Sequence, residues 1–130
     1  MEKEGLVAAL QTRLEMVEGR SGLETEFNVE KIGKLSPEIE EGFYRIAQEV
    51  LNNTLKHAQA HKVTIHLCRD QQKVILEITD DGIGFDPTTI RKKAGLGLAG
   101  MEERVALMGG QLMVDSKPKG GTIVRVEVSP

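Results

Sequence analysis

The stretch Glu49-Val50-Leu51-Asn52-Asn53-Thr54-Leu55-Lys56-His57, followed by Asp80-Asp81-Gly82-Ile83-Gly84 and then by Gly95-Leu96-Gly97-Leu98, decides how this chain is read. The first run continues an apolar repeat of Ile39, Phe43, Ile46 and Val50 at three- and four-residue spacing, the pattern of an amphipathic helix. At about 100° per residue, Glu49, Asn53, Lys56 and His57 fall within one arc of that helix, beside the apolar arc. The second run ends an apolar strand in a carboxylate and two glycines, and the third opens another helix. A polar helix edge, a strand-end carboxylate and a glycine-bearing helix entry are the parts of one ligand crevice.

Outward from this stretch the elements follow from periodicity. Leu6, Leu10, Leu14 and Val17 predict a helix over 5–18, broken between Gly19 and Gly22. Leu23, Thr25, Phe27 and Val29 alternate with polar residues, as in a half-buried strand. Ser36-Pro37 starts the central helix, with Ser as N-cap and Pro at the first helical position, and that helix runs to about His57. Val63, Ile65 and Leu67 pair with Val74, Leu76 and Ile78 across the turn Asp70-Gln71-Gln72, giving a hairpin. Residues 82–95 are basic and poorly patterned and read as a mobile loop. A helix with Leu98, Met101, Val105 and Met108 inward ends at Gly109-Gly110. Strands at Leu112 and Val114 and at Val124, Val126 and Val128 flank the turn Lys117–Gly121. The expected fold is α+β: a two-layer α/β sandwich with an about five-stranded mixed sheet and three helices on one face. Strands and helices do not alternate regularly, which excludes a doubly wound arrangement.

Bulk properties narrow the classes. A chain of 130 residues is large enough for one core, and a net charge of −3 argues against broad nucleic-acid binding. No apolar run of membrane-spanning length and no leader pattern is present, so a soluble, cytoplasmic piece is expected. Cys68 stands alone, so no disulfide framework is expected. Trp is absent and aromatics are few, which leaves the core to Leu, Ile, Val and Met.

Each motif has a bland and a chemical reading. The Glu49–His57 arc is either a solvated face or a cleft edge. In the second case the Asn53 carbonyl oxygen suits Mg²⁺, which takes few protein ligands, Glu49 suits a base-like role, and Lys56 offsets phosphate charge. Asp80 is either an exposed strand end or the acceptor for a donor such as the adenine amino group, and Gly82 and Gly84 let a flat base approach the backbone. Gly95-Leu96-Gly97-Leu98 is either a plain helix entry or an anion-facing one, since free N–H groups and the helix dipole favour phosphate there. Arg91, Lys92 and Lys93 precede it, as phosphate clamps or as a solvated basic loop. Thr122, after Gly120-Gly121, is a common strand residue whose hydroxyl can share the adenine hydrogen bonds. His57 and His61 lie four apart with no third ligand, so no zinc site is expected.

At these residues the sequence resembles the catalytic ATP-binding domain of bacterial sensor histidine kinases, within the superfamily that includes gyrase, the large heat-shock chaperone and the mismatch-repair ATPase. The kinases typified by nitrate and oxygen sensors are the nearest in pattern. Glu49-x-x-x-Asn53-x-x-Lys56-His57-Ala58 is similar to their N box, and Asp80-x-Gly82-x-Gly84 to the G1 box, with Asp81 where many relatives have Asn. Gly95-x-Gly97-Leu98-x-Gly100-Met101-x-Glu103-Arg104 is similar to the G2 region, and Gly120-Gly121-Thr122 to the closing strand. The resemblance covers about residues 23–129. It implies ATP and Mg²⁺ as ligands, Asp80 reading adenine, Asn53 holding Mg²⁺, and Glu49 as the base-like residue. It also implies nucleotide contacts from Lys56, His57, Gly82, Gly84, Gly95, Leu96, Gly97, Leu98 and Thr122, with residues 85–95 as an ATP lid.

The same resemblance implies that residues 1–22 are the tail of a dimerisation segment and 23–130 the catalytic domain. His57, His61 and His66 lie outside any long helical hairpin, so none fits a phosphoacceptor. The chain is therefore expected to be a monomeric piece of a longer kinase. Its partners would be the phosphoacceptor domain and a response regulator, with no nucleic acid. Alone it is expected to bind ATP and transfer phosphate poorly. Two rival readings are an anti-sigma-factor serine kinase of the same superfamily and an interaction module that has lost ATP.

Overall fold

Ser36 and Pro37 begin the helix around which the rest is arranged. The Ser36 hydroxyl accepts from the Ile39 N–H at 3.2 Å, and Pro37 stands where a missing N–H is harmless. The computed structural model describes residues 5–30, 32–55, 60–82, 98–116 and 120–129. Along them run α1 (Gly5–Ser21), β1 (Glu24–Glu30), α2 (Pro37–Asn53), β2 (Lys62–Asp70), β3 (Lys73–Asp80), α3 (Leu98–Leu107), β4 (Gly110–Ser116) and β5 (Thr122–Val128).

The five strands form one mixed sheet in the order β1-β2-β3-β5-β4. β1 and β2 are parallel, with α2 as the crossover that parallel pairing requires, and the other neighbours are antiparallel. Register carries one sheet face into the core. Phe27, Ile65, Ile78, Val124 and Val114 form one row across it, and Val29, Leu67, Leu76, Val126 and Leu112 the next. Against this face pack Leu6, Leu10, Leu14 and Val17 of α1, Ile39, Phe43, Ile46, Ala47, Val50 and Leu51 of α2, and Met101 and Val105 of α3, in a single core. The expected two-layer α+β sandwich is thus observed, with its three described helices on one face. Among the described residues no helix is long and apolar enough to cross a membrane.

The ends of elements differ from expectation for local reasons. α1 runs through Gly19 to Ser21, where the Ser21 hydroxyl donates to the Val17 carbonyl at 2.7 Å. It stops at Gly22, whose φ of +73° only glycine adopts freely and whose N–H returns to the Glu18 carbonyl at 3.0 Å. The regular part of α2 stops at Asn53, and Thr54 and Leu55 continue in a wider, π-type turn. The expected continuation to His57 lies outside the described residues, as does all of the expected loop over 82–95 except Gly82.

The sheet's core face changes character in a third row, Thr25, Val63, Asp80, Thr122 and Ser116. Four polar side chains there replace the apolar ones, at the end of the sheet that meets the C-terminal turn of α2.

Candidate functional site

Asp80 closes β3 on the core face and is only 7% exposed. Its Oδ1 accepts from the Gly82 N–H at 2.9 Å, and its Oδ2 lies 3.3 Å from the Thr54 hydroxyl. Thr54 also lies 3.0 Å from the Val50 carbonyl, so one hydroxyl proton serves two acceptors. Burial pushes the Asp80 carboxyl above the ordinary carboxylate range, opposed by hydrogen bonds from Gly82, Thr54 and Thr122. A carboxylate has about four acceptor positions, so these donors leave capacity for a ligand donor.

Asp81 behaves oppositely. Its Oδ1 accepts from the backbone N–H groups of His61 at 2.8 Å and Lys62 at 2.9 Å. These bonds, Lys62's first, hold the carboxyl below the ordinary range. Asp81 fastens the entry of β2 to the exit of β3, while its neighbour Asp80 sits in the interior. An amide oxygen would serve the same two donors, which accounts for Asp where the resembling boxes often carry Asn.

Thr122 opens β5 opposite Asp80 and is 6% exposed. The preceding Gly121 has φ +77°, and a Cβ on it would stand 2.5 Å from the Asp80 carbonyl oxygen, so only glycine brings β5 this close. Ser116, at the end of β4, is Thr122's cross-strand partner, with its Oγ 2.8 Å from Thr122 Oγ1 and 3.1 Å from the Gly121 carbonyl.

Asn53 is half-buried on the last regular turn of α2, next to Thr54. Glu49 is one turn earlier and lines a cleft of about 300 Å³ between α2 and α3, with Arg45, Gln48, Gly100 and Arg104 around it and Ile46 and Met101 beneath. α2 therefore connects two regions: the Asp80 cluster, which it touches through Thr54, and this cleft beside the first turn of α3.

Of the sequence-derived site residues, the structure brings Asp80, Gly82 and Thr122 together, with Asn53 on the adjoining turn and Glu49 in the neighbouring cleft. Leu98 opens α3. Lys56, His57, Gly84, Gly95, Leu96 and Gly97 lie outside the described residues. Sequence reasoning missed Thr54 and Ser116. Thr54's signal was a hydroxyl directly after Asn53 at the helix end. Ser116's was a hydroxyl in the inward phase of the Leu112, Val114 alternation.

The donors suit a triphosphate with a hard cation. Asn53 and Glu49 offer oxygen, and among the described residues no three His, Cys, Asp or Glu cluster, so a divalent ion here would depend largely on water and phosphate oxygens, as Mg²⁺ does.

Comparison with known proteins agrees with this arrangement. Residues 38–130 match the family described as "Histidine kinase-, DNA gyrase B-, and HSP90-like ATPase". The chain is 35% identical over 125 residues to the signal transduction histidine-protein kinase/phosphatase DegS of Brevibacillus brevis, covering 95% of this chain and 32% of that protein. It is 37% identical over 125 residues to the oxygen sensor histidine kinase NreB of Staphylococcus carnosus, covering 95% and 36%. The chain thus spans about a third of these curated relatives. Among solved structures, the fold is similar to the histidine kinase domain of the Erythrobacter litoralis EL346 blue-light activated kinase, with TM-score 0.76, 21% identity, and coverage of 96% of this chain and 61% of that one. It is also similar to the Acinetobacter baumannii histidine kinase AdeS, with TM-score 0.69, 20% identity, and coverage of 95% and 62%. The chain belongs to the family of histidine kinase-, DNA gyrase B-, and HSP90-like ATPases.

Proposed function

We propose that this chain is the ATP·Mg²⁺-binding catalytic domain of a cytoplasmic sensor-kinase module, supplying a γ-phosphoryl group to a histidine on a separate dimerisation segment. The observation that carries this reading is Asp80: a carboxylate 7% exposed, with Gly82 and Thr54 as donors and Thr122 opposite. A buried acceptor of this kind rewards a ligand that brings its own donor, and the adenine amino group is one.

In this reading Asp80 accepts from the base, and Thr122 completes the contact with its edge. Gly82 and Gly84 admit the base. Asn53 would hold Mg²⁺, whose contribution when bound is to neutralise phosphate charge. Gly95, Leu96, Gly97, Leu98, Lys56 and His57 would bind the phosphates, and Glu49 would orient the acceptor histidine as a base-like residue. Residues 1–22 would be the tail of the dimerisation segment. The acceptor imidazole attacks the γ-phosphorus, its bond to the bridging oxygen breaks, and ADP departs; a response-regulator aspartate is the next acceptor. The domain's work is positioning and charge neutralisation.

The test is labelling with γ-³²P-ATP. The chain alone is expected to take up almost no label, and a supplied two-helix segment carrying the acceptor histidine is expected to become labelled in its presence. Asp80→Ala should abolish both nucleotide binding and transfer. Rapid self-labelling of the chain alone, or undiminished binding by Asp80→Ala, would overturn the reading.

A further inference from the structure

Two residues of the cleft between α2 and α3 have no explanation in the packing of this domain. Gly100 stands on the first turn of α3, where glycine weakens a helix relative to alanine. A Cβ added there would meet nothing within 4 Å among the described residues, so no close approach requires the glycine. Arg104 lies one turn further along α3 and also lines the cleft. It has no acidic partner among the described residues, whereas Arg45, on the α2 side, is held by Glu41 at 3.0 Å.

The shape and chemistry of the cleft narrow what it can take. Its volume of about 300 Å³ is at the lower limit of small-molecule pockets, roughly 300–1,000 Å³, so it fits one side chain with a small group attached rather than a whole nucleotide. Ile46 and Met101, 1% and 4% exposed, give it an apolar floor on which a flat ring can lie. Glu49 offers an acceptor for a ring N–H, and the planar fork of Arg104 matches phosphoryl oxygens. The position agrees. Gly100 follows Leu98, at the end of α3 that the ATP reading gives to the phosphates, and Glu49 is one turn before Asn53, which that reading gives to Mg²⁺.

We propose that this cleft receives the acceptor histidine, and that Arg104 is a catalytic residue that pairs with the phosphoryl group as it passes to the ring. The inference rests on the ATP reading above. The open space at Gly100 admits the helix that carries the histidine. One ring nitrogen attacks the γ-phosphorus with its lone pair, and ADP leaves with the electrons of the broken bond to the bridging oxygen. The other ring nitrogen passes its proton to Glu49, so the phosphorylated ring ends uncharged. Arg104 offsets the charge on the three phosphoryl oxygens throughout.

The experiment measures initial rates of label transfer from γ-³²P-ATP to a supplied two-helix segment over a range of segment concentrations, beside the thermal shift that ATP produces. Arg104→Ala should lower kcat by about 100-fold, the scale of losing one preorganised charge-stabilising donor, with a smaller change in the segment's KM and the ATP shift retained. Arg104→Lys keeps the charge and should recover at least about tenfold of that loss. Gly100→Leu extends a side chain into the cleft and should raise the segment's KM at least about tenfold, again with the ATP shift retained. Arg104 is exposed, so its variants carry the test if Gly100→Leu does not fold. An undiminished kcat or a lost ATP shift in Arg104→Ala, an Arg104→Lys no faster than Arg104→Ala, or an unchanged segment KM in a folded Gly100→Leu overturns this inference alone. A parent chain with no ATP shift overturns the ATP reading itself.

Discussion

At Asp80 function and stability pull in opposite directions. Burial raises its carboxyl pKa, so between about 3.8 and the higher folded value the folded chain holds more proton than the unfolded one. Stability therefore falls as pH rises through that window and stays reduced above it. Asp80→Asn removes the charge but keeps an acceptor for Gly82. At neutral pH we expect its melting midpoint to rise by about 2–4 °C, the scale of about 1 kcal/mol in a chain of this size, and its ATP affinity to fall at least about tenfold. Calorimetric melting and nucleotide titration of the same sample check both. Asp81 has the opposite sign: its pKa is depressed, so its contribution is present above the ordinary value and lost as pH falls through the folded one. Asp81→Ala exchanges two exposed backbone hydrogen bonds for bonds to water and should cost about 1 kcal/mol in urea unfolding, while Asp81→Asn should cost little. Gly121→Ala combines a left-handed φ with a Cβ pressed on the Asp80 carbonyl, and should lose about 2 kcal/mol or more along with nucleotide binding, read by the same two measurements.

At the scale of elements, α1 is fastened more firmly than its place at the start of the chain suggests. Leu6, Leu10 and Leu14 are at most 2% exposed, the Leu6 N–H donates to Glu40 at 2.8 Å, and Arg13 reaches the Tyr44 hydroxyl at 3.1 Å. Leu10→Ala should therefore cost about 2–5 kcal/mol in urea unfolding despite its distance from the site. The elements were legible wherever one period ran unbroken. The Leu6–Val17 stripe, the capped start at Ser36, the hairpin around Gln71 and the Val124–Val128 alternation all stand as read. What failed to show was set by partners distant in sequence. Gly19 reads as a breaker, yet packing of Leu14 and Val17 and the Ser21 bond carry the helix past it. Nothing in 24–30 declares a parallel partner. Asp80 and Thr122 were visible because their glycines mark them; Thr54 and Ser116 were not, because their importance lies in register and a helix-end turn, which no local pattern encodes.

For the whole molecule, the site is joined from α2, β3, β4 and β5, segments that nothing but the fold holds together. A ligand that touches Asn53, Asp80 and Thr122 at once binds the folded chain and not the unfolded one, so it must stabilise by RT ln(1 + [L]/Kd), about 2.7 kcal/mol at a hundredfold excess over Kd. Thermal melting separates the two halves of the ligand. ATP with Mg²⁺ is expected to raise the midpoint of the parent chain, and EDTA to remove most of that gain. In Asn53→Ala the smaller remaining shift should no longer respond to EDTA, because the base end still binds while the cation has lost its protein oxygen. In Asp80→Asn the shift at the same ATP concentration should fall to about half of the parent's or less. Identical EDTA responses in the parent and Asn53→Ala would remove Asn53 from the cation site, and an undiminished ATP shift in Asp80→Asn would remove the purine from the Asp80 cluster. The two assignments therefore fail independently, although one helix end, from Asn53 to Thr54, connects them.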